Sequence, residues 1–368
     1  MSSEFPQQLP TPLQPSETPQ PPEPLQPPEL PQPAALPDDV TTVLRPTRDD
    51  ATTVLRKARV DAPVPHAAPA AELPAAAELD TETVVIRGAS PTLAPLCPAC
   101  GGRIDADGYC QVCGQKAPSR RDHLEGAPSP QVAFVSDRGK VHYRNEDAAS
   151  VYQDDTRTVL VVCDGVSTST DSDVAAIAGA DRACQYLATA PANTESLSRA
   201  VYEANRAVIA NADLNASAAA AATISAALIV GRKLWFAHLG DSRIYWVSDS
   251  GSQMLTTDDS LAQELIAQGL SREEAEASQG AHAITAWLGP DSEDTDPETG
   301  EFDLGDGWVV VCSDGLWNYA SSATQLSQVL RESERETALE TARAMVVWAS
   351  EQGGVDNISV ALARVTVG

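Results

Sequence analysis

The chain has 368 residues and a formal net charge of −27, with 27 prolines, 7 cysteines and only 5% aromatic residues. At roughly 150 residues per domain that length allows two or so domains, yet 20 of the prolines and a single aromatic residue, Phe5, lie in residues 1–95, while all six tryptophans lie at or beyond Trp235. So acidic a chain repels nucleic acid and anionic membranes at long range. No apolar run reaches the about 18 residues of a membrane helix, and the start, MSSEFPQQLP, lacks the basic-then-apolar order of a signal peptide. A cytoplasmic monomer with no nucleic-acid and no membrane partner is therefore expected.

Residues 1–95 cannot build a packed core, because they lack the bulky side chains that would offset the entropy of ordering. They read as a disordered Pro/Ala-rich tail. Its first part, 1–37, is a Pro/Gln/Glu/Leu tract with the character of a semi-rigid spacer, though its PxxP-like pieces suit SH3 or WW grooves. Its second part repeats a phrase: Thr41-Thr42-Val43-Leu44-Arg45, Thr52-Thr53-Val54-Leu55-Arg56 and Thr83-Val84-Val85-Ile86-Arg87, each with acidic residues just upstream. Duplicated disordered sequence is one account. The other makes Thr41, Thr52 and Thr83 kinase acceptor sites, since added phosphate charge is read by arginine clusters. An aliphatic residue three positions after each threonine resembles ligands of forkhead-associated phosphothreonine-binding domains, so such a domain and a serine/threonine kinase are the partners this tail implies.

Residues 96–117 carry Cys97-Pro-Ala-Cys100-Gly-Gly and Cys110-Gln-Val-Cys113-Gly-Gln-Lys, two C-x-x-C knuckles nine residues apart. Four thiolates so spaced suit tetrahedral Zn2+, with glycine letting the backbone curl beneath the sulfurs. So short a segment has no core of its own, and metal binding would supply its folding energy. Two disulfides compete, but a cytosolic setting argues against them. Cys97 and Arg103 satisfy the spacing of cysteine-dependent phosphatases by coincidence, because that chemistry needs a free thiolate on a phosphate-cradling loop. The module reads as a structural zinc ribbon. A nucleic-acid-binding ribbon would show a basic stripe, and only Arg120-Arg121 is nearby.

Residues 118–130 read as a linker, and 131–368 as one globular domain large enough for a substantial core. Strand-like apolar runs occur at 132–135, 158–163, 224–230, 234–239, 308–312 and 358–367. Helical spacing marks 173–190, 196–212, 261–270, 324–330 and 337–350. Sheets covered by helices follow.

The acids sit at the ends of these runs: Asp164 after 158–163, Asp241 after 234–239, Asp314 after 308–312, Asp356 before 358–367, and Asp147 after the first run. A strand buried on both faces reads as a continuous apolar run, so its terminal carboxylate is held at the sheet's rim. One such Asp is ordinary turn chemistry; five that meet need cations. With only His142, His238 and His282 in the domain, oxygen ligands dominate, and these suit Mg2+ or Mn2+ and two-metal phosphoryl chemistry.

Seven motifs in order make this domain resemble the metal-dependent serine/threonine protein phosphatases of type 2C, bacterial type. They are Asn145-Glu146-Asp147, Val162-Cys163-Asp164-Gly165, Leu239-Gly240-Asp241-Ser242-Arg243, the run 260–265, the run 282–289, Cys312-Ser313-Asp314-Gly315-Leu316-Trp317 and Asp356-Asn357-Ile358. The resemblance implies an α+β fold: a central β-sandwich of two mainly antiparallel sheets flanked by helix pairs (α-β-β-α), here preceded by the small zinc ribbon and disordered tail. It implies a metal-dependent hydrolase of phosphoserine and phosphothreonine that reverses kinase signalling. By family position Asp164 bridges two Mn2+ or Mg2+ ions, the Gly165 carbonyl binds one, Asp314 and Asp356 complete the second site, Asp147 and Glu146 act through waters, and Asp241 helps hold a weaker third ion. A metal-bridging water attacks phosphorus in line. Phosphoproteins are the implied substrates, and 260–279 the implied flap beside the channel.

Two departures stand out. His142 occupies the place of the usual phosphate-binding arginine; Arg144, two residues on, would share its face on an extended strand and take over the contact. After Gly165, Val166-Ser167-Thr168-Ser169 replaces a glycine-rich turn that in some members carries a histidine proposed as general acid. These departures leave one alternative, a weakly active or inactive pseudophosphatase that binds phosphoproteins as a scaffold.

Overall fold

A computed structural model describes residues 96–366 apart from Pro98, 106–107, Gln115, Pro118, 167–168, Thr170, 214–217 and 293–294. The chain divides into Met1–Ala75 and Ala76–Gly368, and the described residues belong to the second unit. Thr41, Thr52 and Thr83 lie outside the described residues.

In chain order the elements are β1 (His123–Ser129), β2 (Val132–Asp137), β3 (Ala148–Gln153), β4 (Arg157–Cys163), α1 (Ser172–Leu187), α2 (Thr194–Asn211), β5 (Ile224–Val230), β6 (Lys233–Leu239), β7 (Arg243–Ser248) and β8 (Gly251–Met254). There follow α3 (Leu261–Ala267), α4 (Arg272–Glu276), β9 (Glu298–Asp303), β10 (Gly307–Cys312), α5 (Asp314–Trp317), α6 (Ala323–Ser333), α7 (Ala338–Gln352) and β11 (Ile358–Val365). The strands form two sheets, β1-β2-β11-β10-β7-β8 and β3-β4-β5-β6-β9, with every pair antiparallel.

Alternation along the strands builds four layers, because successive side chains point to opposite faces. In β4, Leu160 and Val162 enter the core between the sheets, while Val159, Val161 and Cys163 face the α1–α2 side. In β10, Val309 and Val311 enter the same central core, while Trp308, Val310 and Cys312 pack with residues of α6 and α7. Both faces are therefore buried, which is why these strands are unbroken apolar runs. The α-β-β-α sandwich expected from the sequence is present.

The proposed linker at 118–130 is not one. Its second half is β1, an edge strand paired with β2. Gly126, Pro128 and a half-buried pattern hide it, since edges tolerate the polar, Pro-containing sequences that central strands do not. The helix expected over 261–270 stops at Ala267, just before Gly269 at φ 105°, and α4 completes the flap segment. Among the described residues no helix is long and apolar enough to cross a membrane.

Candidate active site

Strand register brings the acids to one end of the sandwich. Ala148 lies opposite Cys163 in the β3–β4 pair, so Asp147, just before one strand, adjoins Asp164, just after the other. Cys312 lies opposite both Arg243 of β7 and Val360 of β11. That places Asp314 beside Asp241 and near Asp356, which opens onto β11. Asp147 and Asp164 thus come from one sheet, Asp314 and Asp356 from the other, and Asp241 from the link between β6 and β7.

Crowding leaves its mark on these carboxyls. Withdrawal from water, and then the charges of Asp147, Asp314, Asp241 and Asp356, pushes Asp164 well above the usual carboxylate range. Burial first, with Asp356 and Asp314 adding to it, pushes Asp147 up to about 7 although the Ser313 hydroxyl opposes the shift. Burial and then Asp356 push Asp314 up to about 6. Asp241 is raised well too, by burial and then by Asp314 and Asp258. Each shift says that the ionised form is short of positive partners.

Hydroxyls and amides tie the acids down across the seam. Ser313 Oγ donates to Asp147 Oδ2 at 2.7 Å, and Ser313 Oγ in turn accepts the Ser359 N–H at 3.0 Å. Asp147 Oδ1 is buried with no hydrogen-bond partner. The side chain of Asn357 accepts the Glu146 N–H at 2.7 Å and donates to the carbonyls of Arg138 and Arg144, at 2.8 and 3.1 Å. Glu146 itself is buried and accepts from Ser172 Oγ at 2.6 Å and Arg144 Nε at 2.9 Å. Gly165 must be glycine: a Cβ there would sit 2.5 Å from the Glu146 carbonyl oxygen and 2.8 Å from that of Ser172.

His142 and Arg144 flank the cluster, but not as expected. Residues 138–147 contain no strand, so the two do not share a strand face. They meet the acids on different sides: His142 Nε2 lies 3.1 Å from Asp356 Oδ1 and its Nδ1 lies 3.8 Å from Glu146 Oε2, whereas Arg144 binds Glu146, Ser172 Oγ at 3.2 Å and Asp173 at 3.4 Å. Ser172, Asp173 and Asn357 had no role assigned from sequence. Of these, Asn357 alone carries a signal in the sequence, its place directly after Asp356 in the motif Asp356-Asn357-Ile358.

Away from the acids, the sulfurs of Cys97, Cys100, Cys110 and Cys113 all lie within 4.8 Å of one another, the one such group of metal-ligating side chains among the described residues. All four thiols are free, with Cys97 and Cys110 buried and Cys100 and Cys113 exposed. The N–H groups of Cys113 and then Val112 hold Cys110 down at about 6 against the effect of burial, which favours the thiolate. Gly101 and Gly114, one after each knuckle, take φ of 73° and 72°, the left-handed curl that a side chain resists.

The model of the protein phosphatase 2C family matches residues 138–347. The chain belongs to the protein phosphatase 2C family. This phosphatase is 29% identical over 242 residues to the serine/threonine phosphatase Stp of Listeria monocytogenes, across 62% of this chain and 93% of that protein. Its fold is that of the S. agalactiae serine/threonine phosphatase, with a TM-score of 0.55 and 25% identity over 66% of this chain and all of that one. The catalytic domain of the phosphatase PstP, solved with two manganese ions, is similar at a TM-score of 0.54 and 26% identity, over 64% of this chain and 98% of that one. The family match begins at residue 138, after β2, so the four-cysteine module lies outside it.

Proposed function

We propose that this phosphatase hydrolyses phosphoserine and phosphothreonine in proteins with Mn2+ or Mg2+ held by Asp147, Asp164, the Gly165 carbonyl, Asp314 and Asp356, with Asp241 serving a weaker third ion and Glu146 acting through water. The observation that carries this reading is the set of carboxyls gathered across the seam, of which Asp147, Asp164, Asp241 and Asp314 are raised by burial and by their neighbours, with the Asp147 Oδ1 buried and unpartnered. An all-oxygen donor set of this kind fits hard divalent cations. The chemistry such cations would supply to the residues that hold them is Lewis-acid activation of a water and neutralisation of charge at the phosphoryl group.

The chain's own residues orient the parts. Ser313 fixes one oxygen of Asp147 and leaves the other for a ligand. Asn357 sets the backbone of Glu146 against the β11 end. Arg144, its side chain 40% exposed and braced by Glu146 and Asp173, would meet a substrate phosphate, with His142 beside Asp356 on the other side of the acids. A scaffold without catalysis has no need for the full set of acids, and nothing in the site favours that alternative.

Turnover of a phosphothreonine peptide, with and without Mn2+, tests the reading on wild type and Asp164→Ala. Mn2+-dependent turnover lost in the variant is expected; equal rates in both proteins refute the mechanism.

Zn2+ held by the four cysteines is the second part of the proposal, supported by four free thiols drawn within 4.8 Å of one another. A reducing cytoplasm, where thiolates persist, suits it. For Thr41, Thr52 and Thr83, the role of kinase acceptor sites read by a forkhead-associated domain rests on the sequence phrases alone.

A further inference from the structure

The loop that carries His142 and Arg144 has no strand partners, so its backbone oxygens must be met in other ways. Four successive carbonyls are met by side chains. Arg138 donates to the carbonyl of His142, and Asn357 donates to that of Arg144. The other two donors come from the N-terminal side of the family match. Lys116 Nζ donates to the carbonyl of Tyr143, and Arg121 Nη2 donates to that of Asn145 at 3.2 Å. The two carbonyls on either side of Arg144 are therefore held by residues that precede the family match.

The hold on Tyr143 is threefold. Besides the carbonyl contact, the Lys116 ammonium lies over the Tyr143 ring, 3.2 Å from its centroid, and the Tyr109 hydroxyl donates to the Tyr143 hydroxyl at 2.7 Å. Tyr109 and Lys116 face each other as an antiparallel bridge, and Tyr109 directly precedes Cys110. Both gripping side chains thus stand on the short hairpin that carries Cys110 and Cys113. Among the described residues of this hairpin the one buried side chain is that of Cys110. Its shape then depends on what the sulfurs hold.

We propose that the four-cysteine module and the segment leaving it act as a clamp on the 142–145 loop, with Tyr109, Lys116 and Arg121 as positioning residues that set where Arg144 and His142 meet the substrate phosphate. The proposal rests on the phosphatase and zinc readings above and deepens them: the module is a metal-dependent part of phosphate binding. None of the three touches the reacting atoms. Their loss loosens the loop and weakens substrate binding while leaving the acids in place.

The full chain is tested with Lys116→Ala/Tyr109→Phe, with Lys116→Arg, which keeps a cationic donor, and with Cys100→Ser/Cys113→Ser. Hydrogen exchange at the amides of 142–145 is measured together with Mn2+-supported kinetics on a phosphothreonine peptide and zinc content by elemental analysis. Losing such contacts is expected to speed exchange in 142–145 by roughly tenfold and to raise KM several-fold, with kcat within about twofold of wild type. Lys116→Arg stays near wild type, and the cysteine variant loosens the loop and loses one zinc per chain. Unchanged exchange and KM in the Lys116/Tyr109 variant overturn the clamp. Unchanged loop exchange in a cysteine variant that has lost its zinc overturns the metal dependence. A wild-type chain without zinc whose loop still loosens in the Lys116/Tyr109 variant supports the clamp and overturns the zinc reading. No turnover by wild type in Mn2+ overturns the phosphatase reading, while hydrogen exchange still decides the clamp.

Discussion

Replacing Arg243 by Met tests how the site's floor is held. The Arg243 side chain is 1% exposed and grips Asp258 with two hydrogen bonds, Nε to Oδ1 at 2.8 Å and Nη2 to Oδ2 at 2.6 Å. Its Nη1 donates to the Ser321 carbonyl at 2.9 Å, and its guanidinium stacks on Trp317, 3.4 Å from the ring centroid. Trp317 Nε1 in turn donates to the Asp241 carbonyl at 2.9 Å. Methionine fills much of the volume but strands Asp258, itself 7% exposed, as a buried carboxylate without its partner. Breaking one side of a buried pair costs about 3–5 kcal/mol, a large share of the ~5–15 kcal/mol that holds a domain together. At roughly 2–4 °C per kcal/mol for a domain of this size, Tm falls by about 6–20 °C. Arg243→Met/Asp258→Leu removes both charges and recovers most of the loss. Urea unfolding of the two variants and wild type measures this directly. A destabilisation under about 1 kcal/mol in Arg243→Met, or a double variant no more stable than the single one, refutes the argument. Because Trp317 links the pair to Asp241, Arg243→Met also needs more Mn2+ for half-maximal turnover.

Arg144→Ala raises KM for a phosphopeptide more than it lowers kcat, and an unchanged KM assigns the phosphate contact elsewhere; steady-state kinetics decide it. His142→Ala, measured alongside, separates the two rim residues. Glu125 is held down at about 2 chiefly by its two hydrogen bonds from Arg343, at 2.7 and 2.5 Å. A carboxyl lowered on folding contributes stability above its unfolded value near 4.5, and that contribution is lost as pH falls from there through 2. Glu125→Gln should therefore flatten the acid limb of a Tm-versus-pH curve over that range, by about 1 kcal/mol at most because the pair is partly exposed. Purified wild type should carry one zinc per chain by elemental analysis, and Cys113→Ser should carry less.

Most central strands and the acids were legible because two physical signals coincide there, but the central strand β7 (Arg243–Ser248) was not read as one. Runs such as 158–163 are apolar on both faces, and 158–163, 234–239 and 308–312 are each followed within two residues by an Asp. The edge strands β1 and β9 were not legible: in them half-buried and exposed residues follow one another without an apolar face, and pairing rather than burial makes them strands. The loop at 138–147 misled for a related reason. Two-residue spacing puts side chains on one face only if the backbone is extended, and the backbone there is shaped by Arg138, Asn357, Lys116 and Arg121 instead. Arg243 sat in a quoted motif, but its partner Asp258 lies 15 residues on, across a turn that local pattern does not fold.

The division of acids between the two sheets has a mechanical consequence. Neither sheet alone owns a complete set: one supplies Asp147 and Asp164, the other Asp314 and Asp356. Sliding one sheet over the other by a single residue step moves its acids by about 3.3 Å, more than the slack in a Mg2+–oxygen bond of about 2.1 Å. Cations held across the seam, as proposed above, would tie both layers together. Their retention would then report on how the two sheets stack, since a shift of one residue step would separate the two halves of the acid set.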